Sequence, residues 1–216
     1  MPEPHDVALT TPDVLVMDFV PDAVQLMQTA IPDKAFRRAT RDRLDLRYAM
    51  IFVRGVVHCD MHPGHVLRCA DGALALIDAG LIANLDDDDR CCFRDFFLSL
   101  ACNDADACGS AILRSALHIP DGLDRAAFQR DVDILIQAYH GRAAESYLIA
   151  EFVFRVFDLH RRHGLPGAPG FVSAIWALMM FEGLVRARYP DLDFQAAAQP
   201  FLAADLLSRS RRAAAR

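Results

Sequence analysis

The chain has 216 residues, of which 53% are hydrophobic and 24% are charged. This composition is typical of one globular domain with a sizeable core and excludes a disordered chain. The formal net charge of −6 argues against general nucleic-acid binding, because such binding depends on neutralising phosphates with positive charge.

Three features of the sequence bear on its compartment. The first 13 residues have no basic start and no apolar run, unlike a secretory signal peptide. The cysteines form no C-x-x-C pair, which argues against a thiolate zinc site. The longest apolar stretch, residues 171–181, is too short to span a membrane. We therefore expect a reduced, cytoplasmic protein with no transmembrane segment, either free or peripheral to a membrane.

The first half of the chain predicts one strand and one long helix. Residues 14–20 (VLVMDFV) are apolar and β-branched and lie between Pro12 and Pro21, which predicts a short buried strand. Residues 33–54 have apolar residues at helical spacing, which predicts a helix with Asp33 as its N-cap and Gly55 at its end. The residues predicted to share its buried face are Phe36, Leu44, Tyr48, Ile51 and Phe52.

A short strand at residues 56–57 leads into a polar loop. Residues 66–69 and 73–77 then predict a β-hairpin with Asp71-Gly72 as a two-residue turn. Asp78 follows the second strand, where a rigid strand can aim a functional side chain. After residue 85 the pattern is helical, with proline and glycine separating helices at 86–101, 104–117, 123–140, 144–163, 170–188 and 196–209. The sequence therefore predicts an α+β fold that is mostly α-helical.

The polar loop reads H-C-D-M-H-P-G-H (residues 58–65) and is followed by D-A-G (residues 78–80). The spacing is that of a protein-kinase catalytic loop, H-x-D-x-x-x-x-N, and of the metal-binding Asp that comes after it. In this pattern Asp60 would meet a substrate hydroxyl as a base, and His65 and Asp78 would occupy the metal-ligand positions.

Two other interpretations of the loop remain open. The loop could be a polar connection whose histidines bond only to the backbone. Alternatively, His58, Asp60 and His62 alternate along the chain, so an extended conformation would present them on one face. Together with Asp78 or His65 they could then bind Zn²⁺, as in a metal-dependent hydrolase.

The two motifs resemble the signature of the UbiB-like atypical kinase family, also called the aarF-domain or ADCK kinases, which typically reads H-A-D-x-H-P-G-N and then D-F-G. The resemblance extends over roughly residues 14–205. Further matching segments are VLVMDF (14–19) to the strand that enters the interlobe hinge, FVRGVV (52–57) to the approach to the catalytic loop, NLDD (84–87) to the stretch after D-F-G, and FEGLVR (181–186) with YPD (189–191) to the late E-G-x-x-R…D-P pattern.

The resemblance implies a role for each matching residue. Asp60 matches the Asp that orients the attacking hydroxyl, and Asp78 matches the Asp that holds Mg²⁺ on the phosphates of ATP or ADP. Loop-structuring roles are implied for His58, His62, Pro63, Gly64 and Gly80. The residues implied to border the adenine, mainly through their backbone, are Asp18, Phe19 and Val20.

The chain departs from the family pattern at three places. His65 replaces the metal-binding Asn, and imidazole offers nitrogen whereas Mg²⁺ prefers oxygen, so we expect Mg²⁺ binding to be weak or lost and Mn²⁺, Zn²⁺ or no metal at this position. Ala79 replaces the Phe of D-F-G, which should loosen that loop. Lys34 is the only lysine and lies in the predicted helix, so no residue matches the phosphate-binding lysine. We therefore expect a carboxy-terminal lobe only, with the amino-terminal lobe missing from this chain.

These observations lead to an expected domain organisation and to three candidate functions. A head (1–13) would precede a kinase-like lobe (14–205), which contains the hinge strand, the catalytic loop 58–65, the metal loop 78–80 and a helical bundle (86–205), and a basic tail (206–216) would follow. The first candidate is an atypical kinase or ATPase in ubiquinone or lipid metabolism, with a separate amino-terminal lobe or membrane-associated biosynthetic proteins as partners. The others are a catalytically dead pseudokinase that serves as an interaction module, and the metal-dependent hydrolase.

Overall fold

The structure is a computed structural model that describes residues 3, 10–25, 32–142, 148–179 and 189–214, with side chains described up to residue 206. The fold is α+β and mostly α-helical, as the sequence predicts. The helices are α1 (Asp33–Tyr48), α2 (Asp87–Cys102), α3 (Ala105–Arg114), α4 (Arg125–Tyr139), α5 (Ile149–Arg162), α6 (Pro169–Met179) and α7 (Phe194–Ala214). The strands are β1 (Val24–Gln25), β2 (Val56–His58), β3 (Val66–Arg68), β4 (Leu74–Leu76) and β5 (Ile82–Asn84).

The long first helix ends as predicted. Helix α1 continues into a π-helical turn, Ala49–Arg54, and Gly55 follows in the left-handed conformation with φ of 67°. Glycine adopts this conformation without the steric penalty that a Cβ brings, so the chain can reverse here and begin β2 at the next residue. All five residues predicted for the buried face of this helix are buried.

Two small antiparallel sheets place the polar loops side by side. Strands β3 and β4 form the hairpin, with Val66 opposite Leu76, and β1 adds to the free edge of β3. Strand β2 pairs with β5, with Val57 opposite Ala83. The 58–65 loop leaves β2 for β3, and the residues after β4 return to β5. Both loops therefore run between the same two sheets, which brings residues distant in sequence together.

A cluster of aromatic rings forms the centre of the core and supports this arrangement. Phe93 of α2 is fully buried, and its ring lies 5.7 Å from that of Phe52 and 5.8 Å from that of Phe171, measured between centroids. Burying one such side chain stabilises a fold by about 1.5–3 kcal/mol. The hydroxyl of Tyr48 donates a hydrogen bond to the carbonyl of Phe194 at 2.8 Å, which ties α1 to α7.

The segment 14–20 is not the predicted buried strand. An isolated bridge joins Thr11 to Val14, and both Val14 and Leu15 are more than half exposed. A strand is fixed by a hydrogen-bonded neighbour, and the segment that pairs with the hairpin is β1, which lies after Pro21. The apolar composition of the segment therefore gave the wrong prediction.

Smaller differences concern the ends of elements. Pro32, not Asp33, is at the N-cap of α1, so Asp33 is the first helical residue. The hairpin turn has three residues, Ala70 to Gly72, because the Cys69 N–H pairs with the Ala73 carbonyl and Gly72 is left-handed at φ of 87°.

The predicted helix bounds also differ at several places. Helix α3 ends before residue 117 because Ala116 bridges to Gly167. Helix α7 extends to Ala214, beyond the predicted end at residue 209. Residues 143–147 and 180–188 of the predicted helices lie outside the described residues.

Candidate functional site

His58 joins the two loops. Its ring is buried, its Nδ1 accepts a hydrogen bond from the Asp60 N–H at 3.3 Å, and its Nε2 lies within hydrogen-bonding distance of the Asp78 carbonyl. A carbonyl can only accept, so the proton of the neutral ring is on Nε2. The imidazole thus fixes the backbone of both acidic residues, and neither of its nitrogens remains for a metal.

His62 stabilises the turn of the 58–65 loop. Its Nδ1 accepts a hydrogen bond from the Gly64 N–H at 3.0 Å, and the 3-10 turn Pro63–His65 follows. A Cβ at residue 64 would lie only 2.7 Å from Cε1 of the His62 ring, so a larger residue here would displace that ring from its contact with the turn. Pro63 is at the first position of the turn, where its missing N–H costs nothing.

His65 lies between the two carboxylates. Its Nδ1 is 3.0 Å from the Asp60 carbonyl oxygen and 3.8 Å from Asp60 Oδ2, while its Nε2 is 3.3 Å from Asp78 Oδ2. The ring is largely covered, whereas the side chains of Asp60 and Asp78 are 43% and 48% exposed. The two acids therefore open to solvent on either side of a half-buried imidazole.

The carboxylate of Asp78 is held in one orientation. Its Oδ1 accepts a hydrogen bond from the Gly80 N–H at 2.7 Å, which leaves Oδ2 to face His65. This hydrogen bond lowers the pKa of Asp78, and the nearby imidazoles of His65, His58 and His62 lower it further, while desolvation opposes them. Asp78 is therefore ionised at neutral pH and available to a cation.

The geometry groups most of the predicted site residues in one place. Ligand atoms of Asp60, His62 and His65 all lie within 4.8 Å of one another, and Asp78 joins this group through His65. Such a cluster of carboxylate and imidazole groups can bind a divalent cation and can move a proton at the Asp60 carboxylate.

The three residues predicted to border the adenine are not buried in the structure. Phe19 is 86% exposed, Asp18 is exposed and Val20 is partly exposed. The Asp18 N–H donates to the Glu3 carbonyl at 2.9 Å. Strand β1 begins four residues after Val20 and contacts the 3-10 turn of the 58–65 loop. The predicted adenine-binding segment is therefore close in sequence to a strand that lies beside this loop.

Arg47 and Met61 support the site, although the sequence analysis did not single them out. The Met61 side chain is fully buried in the middle of the 58–65 loop. The buried Arg47 guanidinium of α1 donates to the Met61 carbonyl at 3.3 Å and to the Ala177 carbonyl of α6. Burial lowers its pKa to about 10, so Arg47 remains charged. The available signal was the presence of two arginines, Arg43 and Arg47, at the helical spacing of the buried face of α1.

A comparison with protein families agrees with the geometry. Residues 5–112 match the ABC1 atypical kinase-like domain. The matched range is half of the chain and contains both loops, the hairpin and helix α2. No helix within the described residues combines the length and apolar character needed to cross a membrane.

Proposed function

We propose, since the chain belongs to the ABC1 atypical kinase-like domain family, that Asp60 and Asp78 form part of a kinase-like nucleotide site. Asp60 orients the attacking hydroxyl or water and accepts its proton, and Asp78 holds the Mg²⁺ of bound ATP or ADP. Such a site would serve ATP-dependent phosphotransfer or hydrolysis.

The observation that carries this proposal is the connection of the two acidic loops through histidine. His58 fixes the backbone at both acids, and His65 contacts both of them, with Asp78 Oδ2 at 3.3 Å and Asp60 Oδ2 at 3.8 Å. Because both carboxylates remain about half exposed, a nucleotide and a second substrate can reach them from solvent. Preorganised charge of this kind is the main contribution that a kinase-like site makes to phosphoryl transfer.

The residues present fit Mg²⁺ at one position and not at the other. Asp78 offers an ionised oxygen, the ligand that Mg²⁺ prefers, whereas His65 offers nitrogen. Mg²⁺ bound at Asp78 would supply positive charge to the phosphates. The covered His65 ring would exclude water from between the acids and keep the Asp60 carboxylate in place.

The remaining parts of the function are proposals that rest on the family resemblance. Asp18, Phe19 and Val20 would border the adenine, within a lobe that spans residues 14–205. Lys34 lies in the first turn of α1, where it does not match the phosphate-binding lysine of the kinase pattern. An amino-terminal lobe that supplies this lysine would be a partner of the site. The resemblance also suggests a cytoplasmic role, free or at a membrane surface, in ubiquinone or lipid metabolism with the proteins of that biosynthesis.

A pseudokinase is the second candidate, and two observations favour it. An imidazole occupies the position where the kinase pattern has Asn, and the segment around Phe19 is exposed rather than built into a strand. A nucleotide bound there would have less of its surface covered, so turnover would be slow. The metal-dependent hydrolase is favoured less, because both nitrogens of His58 bond to the backbone.

Turnover by the purified chain distinguishes the enzyme from the pseudokinase. ATP hydrolysis with Mg²⁺ should fall about 10²–10⁴-fold in Asp60→Asn, because the variant cannot accept a proton. ATP affinity should stay unchanged, since the substitution leaves Asp78 in place. Hydrolysis at the same rate in Asp60→Asn and wild type would refute the role of Asp60. Binding without hydrolysis in the wild type would favour the pseudokinase.

A further inference from the structure

A cavity of about 450 Å³ lies between the amino-terminal half of α1 and the turn of the β3–β4 hairpin. Helix α1 contributes Lys34 and Arg38 to its lining, and strand β3 contributes Arg68. Three cationic side chains thus line one cavity in a chain whose formal net charge is −6. A concave surface with a local excess of positive charge attracts anionic groups.

The packing of the hairpin on α1 places Arg68 on the side of the cavity. Leu74 of β4 packs against Phe36 and Ala39 of α1. Arg68 is directly opposite Leu74 in the antiparallel register, and opposite residues project from the same face of a sheet. Arg68 therefore faces α1, and its positive charge lies across the cavity from that of Lys34.

The cations of this cavity are weakly paired within the chain. Neither Lys34 nor Arg68 forms an ion pair with the residues that the structure describes. Arg38 lies 3.8 Å from Asp42, with its side chain 85% exposed, and such an exposed pair contributes little. The other carboxylate of the lining, Asp71, accepts a hydrogen bond from a backbone N–H of the hairpin at 2.9 Å. The cations are therefore available to an external anion.

The spacing of the cations fits an extended acidic segment. Lys34 and Arg38 are one helical turn apart, so their Cβ atoms are separated by about 5–6 Å. On an extended chain, residues two apart are separated by about 6.6 Å and point to the same side, while the residue between them points to the opposite side. In a run of acidic residues, the first and third would therefore reach Lys34 and Arg38, and the second would reach Arg68.

We propose that this cavity is a docking site for an extended acidic segment of a partner protein. Strand β3 begins directly after the 58–65 loop and has three residues, so the cavity lies roughly 10 Å along the hairpin from that loop. A partner docked there is held at a high effective concentration near the acidic loops. The inference does not depend on nucleotide binding or turnover, because none of the three cations belongs to those loops.

The test is the fluorescence anisotropy of a labelled hexa-aspartate peptide titrated with the whole chain, with hexa-asparagine as the control peptide. The cavity variant combines Lys34→Gln with Arg38→Gln, and Arg68→Gln tests the opposite wall. The control variant combines Arg125→Gln with Arg130→Gln. These two arginines are exposed on α4, which packs against α3 and α5, so the control removes the same positive charge elsewhere on a helix.

We expect wild type to bind hexa-aspartate, and to bind it more weakly as the salt concentration rises. The cavity variant should lose at least about threefold in affinity, and Arg68→Gln about twofold. The control variant should stay within roughly 1.5-fold of wild type, because a change in overall charge acts only through screened attraction. The proposal is overturned if wild type does not bind the peptide, if hexa-asparagine binds equally well, or if cavity and control variants lose the same affinity.

Two competing occupants are tested with the same proteins. Pyrophosphate that binds more tightly than hexa-aspartate at constant ionic strength would show a site for a small anion. Binding to vesicles of phosphatidylcholine and phosphatidylserine that requires Lys34 and Arg38, without binding of the peptide, would show a membrane surface. Either result overturns the assignment to an acidic protein segment.

Asp78→Ala separates this proposal from the nucleotide function. This variant should bind hexa-aspartate as wild type does, because Asp78 does not line the cavity. If Mg²⁺-ATP binds and the peptide does not, the docking site alone is wrong. If the peptide binds through the three cations and ATP does not bind, the docking site stands and the nucleotide function falls.

Discussion

Replacement of His58 by alanine tests whether one imidazole holds both acidic loops in place. The ring is 3% exposed and bonds to the Asp60 N–H and the Asp78 carbonyl. Each lost hydrogen bond costs about 1 kcal/mol, and a buried group left unpaired adds to that cost. Including the cavity left by the ring, we expect His58→Ala to lower the free energy of unfolding by about 3 kcal/mol. For a chain of this length, that loss lowers Tm by roughly 6–12 °C.

Urea and thermal unfolding measure this loss, with His62→Ala as the control. His62 is 42% exposed and makes one hydrogen bond to the Gly64 N–H, so its removal should cost about 1 kcal/mol or less. The affinity of Mg²⁺-ATP should fall in His58→Ala, because the backbone at Asp60 and Asp78 loses the hydrogen bonds that hold it in place. A loss of stability no greater than that of the control would refute the bracing role of His58.

Three further predictions concern the core, the loop and the response to pH. Phe93→Ala should lower the free energy of unfolding by about 3–5 kcal/mol, whereas Phe154→Ala, at a side chain that is 58% exposed, should stay within about 0.5 kcal/mol in the same urea titration. Gly64→Ala should displace the His62 ring, since its Cβ would lie 2.7 Å from Cε1, and unaltered stability and metal affinity would contradict that contact. Burial lowers the pKa of His160, so the unfolded chain binds the proton first as pH falls below 6.5, and stability should decrease there. His160→Gln should remove that part of the decrease between pH 7 and pH 5, and an unchanged pH dependence would show that His160 does not cause it.

The proximity of Asp60, His65 and Asp78 could be predicted because short motifs carry it. The spacing of the 58–65 loop matched a pattern whose members meet in space, and the hairpin between the motifs was visible from its Asp-Gly turn. The motifs could not show which strand pairing holds the two acidic loops next to each other. Strand β5 (Ile82–Asn84) has only three residues and no alternation of its own, so its pairing with β2 depends on tertiary structure.

Predictions failed where the outcome depends on contacts between distant segments. The apolar run at residues 14–20 would be a strand if a neighbour paired along it, but its Val14 and Leu15 side chains remain largely exposed. Arg47 lies within the predicted helix but was not among its predicted buried residues, yet its guanidinium bonds to two carbonyls from other elements across the core. A buried arginine is recognised only when its partners are known, and these lie 14 and 130 residues away in sequence.

The most direct test of a kinase-like nucleotide site is the affinity of the whole chain for ATP with Mg²⁺, measured calorimetrically in wild type and in Asp78→Ala. Asp78 is exposed, so the substitution should leave the fold intact, which its urea unfolding curve checks. We predict that wild type binds ATP and that Asp78→Ala loses at least about tenfold in affinity, because the metal loses its carboxylate. Equal affinity in the two proteins, or no binding by wild type at millimolar ATP, would contradict the proposed function.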